Sequence, residues 1–324
     1  MTPIPSDEWS AYLKQRKGLK DIGGVVGVGL AGPEVIVYVD RMRPEIFREL
    51  PEDVGGSPVV VREVGKFRIL PLLTVQASRI EMYRPVPGGV SVGHFLGETG
   101  THGTAVWKET KKVGLSNNHV AALVWGTMNE GRIGDAILQP GLYDYSGLGS
   151  EIGELLDYEP VSLTGTNRID AAIYSGDFVD EILGVGAPAE AVRMEPGMLV
   201  AKSGRTTQVT TSMVESVGAI ADIEGFGCVC RFEDIAITTS AFSKGGDSGS
   251  LVVDNWARSC GLLFAGSDVA SVLCEAMNIE VELGVKFGFT EPHLLSLRTQ
   301  SVVPAFTLGT ILVGGVLALF SKEI

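Results

Sequence analysis

The sequence is short of positive charge, and this shortage argues against one large class of functions. Lysine and arginine together number 26 against 39 aspartates and glutamates, so the net charge of the 324 residues is −13. A nucleic-acid-binding surface needs a basic patch, which this balance does not favour. Apolar residues make up 45% and charged residues 20% of the chain, which is typical of a globular protein and not of a disordered one.

Cysteine is also scarce, and its placement provides no metal or redox motif. None of the four cysteines forms a C-x-x-C pair, and no histidine pair stands near them at zinc spacing, so we expect neither a metal nor a cofactor. Free buried thiols are the simplest interpretation. Residues 1–20 are polar and charged and do not resemble a secretory signal, which predicts a reducing, cytoplasmic location for the globular part. The cysteines are Cys228, Cys230, Cys260 and Cys274.

The 42 glycines and the many β-branched runs predict short strands and turns in place of long helices. Two prolines and two glycines at residues 83–89 predict a boundary. The glycine-rich stretch at residues 23–29 lacks the lysine and the helix of a phosphate-binding loop. We expect a small N-terminal α+β unit with a helix at residues 6–16, and a closing helix at residues 269–277. The predicted units are 1–80, 86–190, 191–285 and a tail, 286–324.

One glycine-rich turn has the residues that nucleophilic catalysis requires. Ser248 lies in Gly-Gly-Asp-Ser-Gly-Ser, and an apolar run at residues 251–253 follows it. A serine hydroxyl is a weak nucleophile and must be held beside a base. The backbone N–H groups of Gly246 and Ser248 could meet at a developing oxyanion. A glycine-rich hairpin with an incidental serine is the alternative interpretation of this stretch alone.

A histidine with suitable neighbours lies earlier in the chain. An apolar strand ends at Leu115, and His119 then opens a short helical turn in Ser-Asn-Asn-His-Val. A histidine so placed can act as a general base. The alternative is a surface or capping histidine, and His94, His102 and His293 keep that interpretation.

An aspartate that could orient this histidine begins the apolar run at residues 170–174. A buried carboxylate needs a partner because an unpaired buried charge is costly, and an imidazole N–H is a suitable partner. An ordinary turn aspartate is the alternative. We favour Asp170 over its rivals Asp135, Asp144 and Asp177.

The end of the chain differs in composition from the rest. Residues 302–320 contain no charge and are long enough to cross a hydrocarbon core as a helix. A buried core helix also fits this run. The lack of a polar face and the position beyond the globular part favour a membrane-spanning tail helix, and thus membrane attachment.

The order His119, Asp170, Ser248, together with the Gly-Asp-Ser-Gly turn, resembles the trypsin-like (chymotrypsin-fold) serine proteases. The similarity is greatest to intracellular bacterial relatives of the plant narrow-leaf type. Supporting motifs lie at residues 25–39, 137–141 and 202–207, and the resemblance covers about residues 22–285.

The resemblance implies a mostly β fold with two packed antiparallel six-stranded β-barrels and the active site between them. It implies Ser248 as nucleophile, His119 as base and then acid, Asp170 as the group that orients the histidine, and the N–H groups of Gly246 and Ser248 as the oxyanion hole.

Substrate binding would involve Phe242, Phe264 and Gly266. Phe242 occupies the base of the specificity pocket in this comparison, which disfavours a basic side chain and favours a small or apolar one. No free N-terminus is evident as a partner for Asp247, so activation by cleavage of a precursor is not expected.

These observations predict a serine endopeptidase whose partner is a polypeptide substrate, with no nucleic acid. The alternatives are a non-catalytic peptide-binding module and a membrane-tethered scaffold protein that keeps the barrels. An esterase of the α/β-hydrolase type fits poorly, because that class has the residue order Ser, acid, His. The sequence does not indicate an oligomeric state.

Overall fold

The computed structural model describes residues 6–70, 79–144, 150–225 and 227–288. The predicted membrane helix at residues 302–320 and the residue His293 lie outside these ranges. Within them, no helix has both the length and the apolar character needed to cross a bilayer.

The N-terminal segment folds as predicted into a small α+β arrangement. Strands β1 (Val25–Ala31) and β2 (Glu34–Val39) form a hairpin. Strand β1 pairs antiparallel with the long strand β17 (Gln208–Glu224), and β4 (Ser57–Glu63) pairs with β2 in parallel. The hydroxyl of Tyr12 donates to the backbone oxygens of Val28 and Gly218, which ties the first helix to this sheet. The elements are α1 (Ser6–Lys20), β1 (Val25–Ala31), β2 (Glu34–Val39), α2 (Pro44–Glu49), β3 (Asp53–Val54) and β4 (Ser57–Glu63); β17 comprises Gln208–Glu224.

The next part of the chain forms a closed antiparallel barrel. The N–H of Gly103 bonds to the oxygen of Leu115, so β7 and β8 continue as one bent strand. The pairings β6–β7, β8–β9, β9–β13, β13–β11, β11–β10 and β10–β6 then close a ring of six strands. The elements are β5 (Val86–Gly88), β6 (Val90–His94), β7 (Thr99–His102), β8 (Thr104–Lys108), β9 (Lys111–Ser116), α3 (Asn118–Ala121), β10 (Ala136–Leu138), β11 (Glu151–Tyr158), β12 (Thr166–Asn167), β13 (Ala172–Tyr174), β14 (Phe178–Ile182) and β15 (Ala189–Ala191).

The following strands form a second ring of six. The pairings β16–β17, β17–β18, β18–β21, β21–β20, β20–β19 and β19–β16 are all antiparallel and return to the starting strand. The elements are β16 (Leu199–Gly204), β17 as given above, β18 (Val229–Thr238), β19 (Leu251–Asp254), β20 (Arg258–Gly266), β21 (Ser271–Glu275), α4 (Ala276–Leu283) and β22 (Val285–Lys286).

The two barrels pack directly against each other. A Cβ added to Gly103 of the first barrel would lie 2.4 Å from the backbone oxygen of Gly249 in the second, so only glycine permits this approach. A mostly β fold with two packed six-stranded antiparallel barrels is therefore confirmed, and it is the chymotrypsin-type architecture. The division into separate units at residues 80, 190 and 285 stays a prediction.

One expectation about an individual element was wrong. The predicted helix at residues 269–277 is strand β21 followed by α4, which begins at Ala276. The strand lies between β18 and β20 and all five of its side chains are buried, so it lacks the polar–apolar alternation that distinguishes a strand from a buried helix. Strand β17 is one strand of 17 residues with irregular register.

Candidate active site

The turn that carries Ser248 is held between the two barrels. Gly246 and Gly249 have φ values of +93° and +92°, a region that favours glycine. Thr101 of β7 contacts the turn twice: its backbone N–H donates to the oxygen of Ser248 at 2.8 Å, and its hydroxyl donates to the oxygen of Gly246 at 2.8 Å. The first barrel therefore fixes the position of a turn that belongs to the second.

The neighbouring carboxylate, Asp247, is fully buried and is anchored from several sides. Its Oδ1 accepts the N–H groups of Thr206 and Thr207 at 2.8 and 3.0 Å. Its Oδ2 accepts the N–H of Lys244 at 2.9 Å and lies 3.3 Å from Nζ of Lys202, which is also fully buried. Burial lowers the pKa of Lys202, and the charge of Asp247 acts in the opposite direction. An internal lysine thus provides the positive partner for Asp247.

His119 and Asp170 come together because their strands are neighbours. Strands β9 and β13 are antiparallel, with Ser116 opposite Ala172, so the end of one strand meets the beginning of the other. Nδ1 of His119 lies 2.5 Å from Oδ2 of Asp170, and the backbone N–H of His119 donates to Oδ1 at 3.1 Å. The carboxylate therefore holds both the ring and the backbone of the histidine.

Asp170 is completely buried, and its backbone is fixed as well as its side chain. Its N–H donates to Sγ of Cys274 at 3.3 Å, and its oxygen accepts from Nδ2 of Asn117 at 2.6 Å. Burial raises the pKa of the Cys274 thiol well above its usual range, so this sulfur stays neutral beside the carboxylate. The aspartate is rigidly placed for one partner, the imidazole.

A cavity of about 310 Å³ is lined by both the histidine and the serine. His119, Gly246 and Ser248 all line it, and their exposure is low, at 3% for His119 and 9% for Ser248. Within the described residues, no acceptor is found for the backbone N–H groups of Gly246 and Ser248. These two donors are available to an oxygen that enters the cavity.

The three predicted substrate-binding residues have different positions. Phe242 is 5% exposed and lines a second cavity of about 470 Å³, together with Ser243, Lys244 and Gly245. Phe264 is fully buried in the core, where its ring centroid lies 4.8 Å from that of Phe232. Gly266 pairs through its backbone with Arg68: the N–H of each residue donates to the oxygen of the other at 2.9 Å.

Two of the three rival aspartates have other partners, and the third, Asp177, is exposed. The Asp135 carboxylate lies 3.0 Å from Nε2 of His94, and Asp144 forms a buried ion pair with Arg205. His102 is fully buried with Nδ1 2.7 Å from the hydroxyl of Tyr174, and burial lowers its pKa to about 3. These pairs leave Asp170 as the carboxylate that contacts His119.

Thr101 and Lys202 are site residues that the sequence analysis missed. Thr101 acts on a turn 145 residues away, and no local pattern marks such a contact. Lys202 had a weak signal: it lies at the start of the Lys-Ser-Gly-Arg-Thr-Thr stretch, where a lysine inside an apolar strand needs a buried counter-charge.

No group of three or more metal-ligating side chains occurs in the part of the chain that the structure describes.

The sequence matches no protein-family model and no curated protein. Solved structures do match. A glutamic-acid-specific serine protease with a histidine triad in substrate binding has 18% identity and a TM-score of 0.43, over 62% of this chain and 100% of that one. Thermobifida fusca Protease A has 14% identity and a TM-score of 0.47, over 63% and 99%, and Nocardiopsis protease has 14% and 0.45, over 63% and 99%. At these values the likeness carries no conclusion about function.

Proposed function

We propose that this protein is a serine endopeptidase that hydrolyses peptide bonds through an acyl-enzyme intermediate. One observation carries the proposal: His119, which is hydrogen-bonded to the buried Asp170, lines the same cavity as Ser248. A peptide-binding module has no use for this combination of three residue types.

In the first step the hydroxyl of Ser248 attacks the carbonyl carbon of the substrate. Asp170 holds Nδ1 of His119 protonated, so the lone pair that accepts the hydroxyl proton is on Nε2. The imidazolium that forms is stabilised by the buried carboxylate. His119 then gives the proton to the leaving amine. In the second half of the reaction water attacks the acyl carbon, His119 accepts the proton of the water, and it returns that proton to the oxygen of Ser248 as the acid product leaves.

The negative charge on the substrate oxygen is stabilised by backbone donors. The N–H groups of Gly246 and Ser248 are preorganised by the contacts of Thr101 with the same two residues. Such donors are effective because they need not reorient as the charge develops. The Lys202–Asp247 pair keeps the turn in this geometry without a free N-terminus.

The cavity beside Phe242 accommodates the side chain that precedes the cleaved bond. Phe242 is buried at its wall, so an apolar side chain of moderate size is favoured over a basic one. Lys244, which is exposed at the same cavity, disfavours a basic side chain further through like-charge repulsion.

The test is hydrolysis of an unfolded protein and of a peptide library by the full chain. Replacement Ser248→Ala should lower the turnover by roughly 10³–10⁶-fold. Ser10→Ala removes an exposed serine of α1 and serves as the matched control with unchanged turnover. Full hydrolysis by Ser248→Ala would rule the proposal out, and peptide binding without hydrolysis by any variant would favour the non-catalytic alternative.

A further inference from the structure

A short extended segment that follows the N-terminal unit forms β-bridges at Arg68 with the ends of two strands of the second barrel, β17 and β20, and residues 68–70 are called the strand below. The N–H of Arg68 donates to the oxygen of Gly266 at 2.9 Å, and the N–H of Gly266 donates to the oxygen of Arg68 at 2.9 Å. This is an antiparallel pair. On its other side, the segment pairs with Glu224 through the oxygen of Phe67 and the N–H of Ile69.

This strand leads into the candidate active site. Ile69 and Leu70 line the cavity that contains His119 and Ser248. Leu70 also lines the second cavity, beside Phe242, so it stands where the two cavities adjoin.

The edge occupied by Arg68 is the one that a peptide substrate needs. Strand β19 pairs with β20 only as far as the serine turn, where the N–H of Gly249 bonds to the oxygen of Leu263. Beyond that point the same edge of β20 continues to Gly266. Extended peptides bind to open sheet edges through backbone hydrogen bonds. A peptide added there would run toward Ser248.

Resting on the proposed function, we infer that residues 68–70 are an inhibitory strand that occupies the substrate site of its own chain. Arg68 fills the backbone-pairing position at Gly266, and Leu70 lies at the junction of the reactive cavity and the side-chain cavity. A substrate competes with this strand for the same hydrogen bonds.

The strand is anchored firmly at Phe67, which precedes it, and the side chain of Arg68 adds only a weak attachment. Phe67 is fully buried and packs edge-on against Tyr38. The Arg68 side chain is half exposed and approaches the exposed Asp268 only to 4.0 Å, a contact of little energetic value. Release beyond Phe67 thus breaks a few backbone hydrogen bonds and withdraws the partly buried Ile69 from the edge of the core, and local openings of this kind need less free energy than unfolding.

Attachment to the chain makes even a weak strand an effective inhibitor. An occupant tethered at Phe67 has an effective concentration in the millimolar range. A free substrate must exceed this concentration or bind more tightly than the strand. The protein therefore hydrolyses peptides slowly while the strand is bound and faster once the strand is released.

The test compares two releasing variants of the full chain with matched controls. Arg68→Pro removes the N–H that bonds to Gly266, and Arg68→Lys keeps both the N–H and the charge. Leu70→Asp places a charge at the cavity junction, and Leu70→Met keeps an apolar side chain. We expect each releasing variant to raise the rate of peptide hydrolysis, and of Ser248 labelling by a fluorophosphonate, by roughly 10-fold. The two conservative variants should retain the inhibition, and Ser10→Ala, at an exposed residue of α1, should leave the rate within about 2-fold of that of the natural chain.

A second measurement uses the strand as a separate molecule. The peptide acetyl-Lys-Phe-Arg-Ile-Leu-amide should inhibit Leu70→Asp competitively, and hydrogen exchange at the Gly266 amide should be faster in that variant than in the natural chain. Circular dichroism and urea unfolding establish that each variant is folded.

Three results would overturn the inference. If the natural chain is active and neither folded releasing variant is faster, the strand does not inhibit, although the proposed function stands. If the chain cleaves itself after Leu70, the strand is a substrate and not an inhibitor. If no variant hydrolyses peptide or labels at Ser248, the proposed function fails and the inference fails with it.

Discussion

At the scale of single residues, the site depends on buried charges that each have a specific partner. Lys202 and Asp247 are both fully buried, and the carboxylate also accepts three backbone N–H groups. Removing one member of such a pair leaves the other charge buried without compensation. The pair is therefore expected to matter for both stability and turn geometry.

Replacement Lys202→Met should lower the free energy of unfolding by about 3 kcal/mol, because Asp247 loses its cationic partner. Urea unfolding measures this change. Lys17→Met, which removes a largely exposed lysine of α1, is the control and should change stability by less than about 0.5 kcal/mol. In the double variant Lys202→Met/Asp247→Asn, the loss should be smaller than the sum of the two single losses. A loss below about 1 kcal/mol for Lys202→Met would contradict this account.

At the scale of elements, strand β7 of the first barrel determines the geometry of a turn in the second. The hydroxyl of Thr101 donates to Gly246 and accepts the N–H of Arg205 at 3.0 Å, while its backbone N–H bonds to Ser248. In the mechanism that we propose, Thr101 is a positioning residue: it acts through Gly246 and Ser248, whose N–H groups would donate to the oxyanion.

Replacement Thr101→Val removes the hydroxyl and keeps the shape and the backbone bond. We expect kcat to fall by roughly 10-fold while KM changes by less than about 3-fold, since the loss falls on transition-state stabilisation. Thr101→Ser, which keeps the hydroxyl, should restore kcat to within about 3-fold. A folded Thr101→Val protein with unchanged kcat would show that the hydroxyl does not position the turn.

A second prediction at the scale of elements concerns the junction of β21 and α4. Glu275 is 5% exposed, and burial raises its pKa from 4.5 to about 7. Between these two pH values the folded protein keeps the proton and the unfolded chain has lost it. The free energy of unfolding therefore falls as the pH rises from about 4.5 to 7, by roughly 2–3 kcal/mol from this group.

Glu275→Gln removes this titration. Urea unfolding at pH 5 and pH 8 should give a smaller decrease in stability for the variant than for the natural chain, and the variant should be the more stable of the two at pH 8. Equal pH dependence in both proteins would exclude a raised pKa at this position.

At the scale of the whole molecule, the features that could be predicted were those with a local pattern. The Ser248 turn, the His119 turn and the strands of the N-terminal unit each follow from a few adjacent residues. Strand β21 could not be distinguished from a helix, because the sheet buries it on both faces and removes the alternation.

Contacts that depend on the meeting of distant segments had no such pattern. Thr101 contacts a turn that lies 145 residues later in the sequence, and Arg68 pairs with Gly266, which also lies much later in the sequence. Phe264 is the opposite case, a predicted contact that the structure does not show. Its place in the sequence suggested substrate contact, but its side chain is buried in the core. The packing of the two barrels determines which of these residues meet, and no single segment of the sequence contains that information.

We propose that two barrels bring His119, Asp170 and Ser248 together so that the hydroxyl of Ser248 becomes reactive. Intact-mass measurement after treatment with a fluorophosphonate tests it most directly. The account predicts one adduct per chain, located at Ser248 in the natural protein, and no adduct in either Ser248→Ala or His119→Ala. An equal adduct on Ser248→Ala, or no adduct on a folded natural chain and on Leu70→Asp alike, would contradict it.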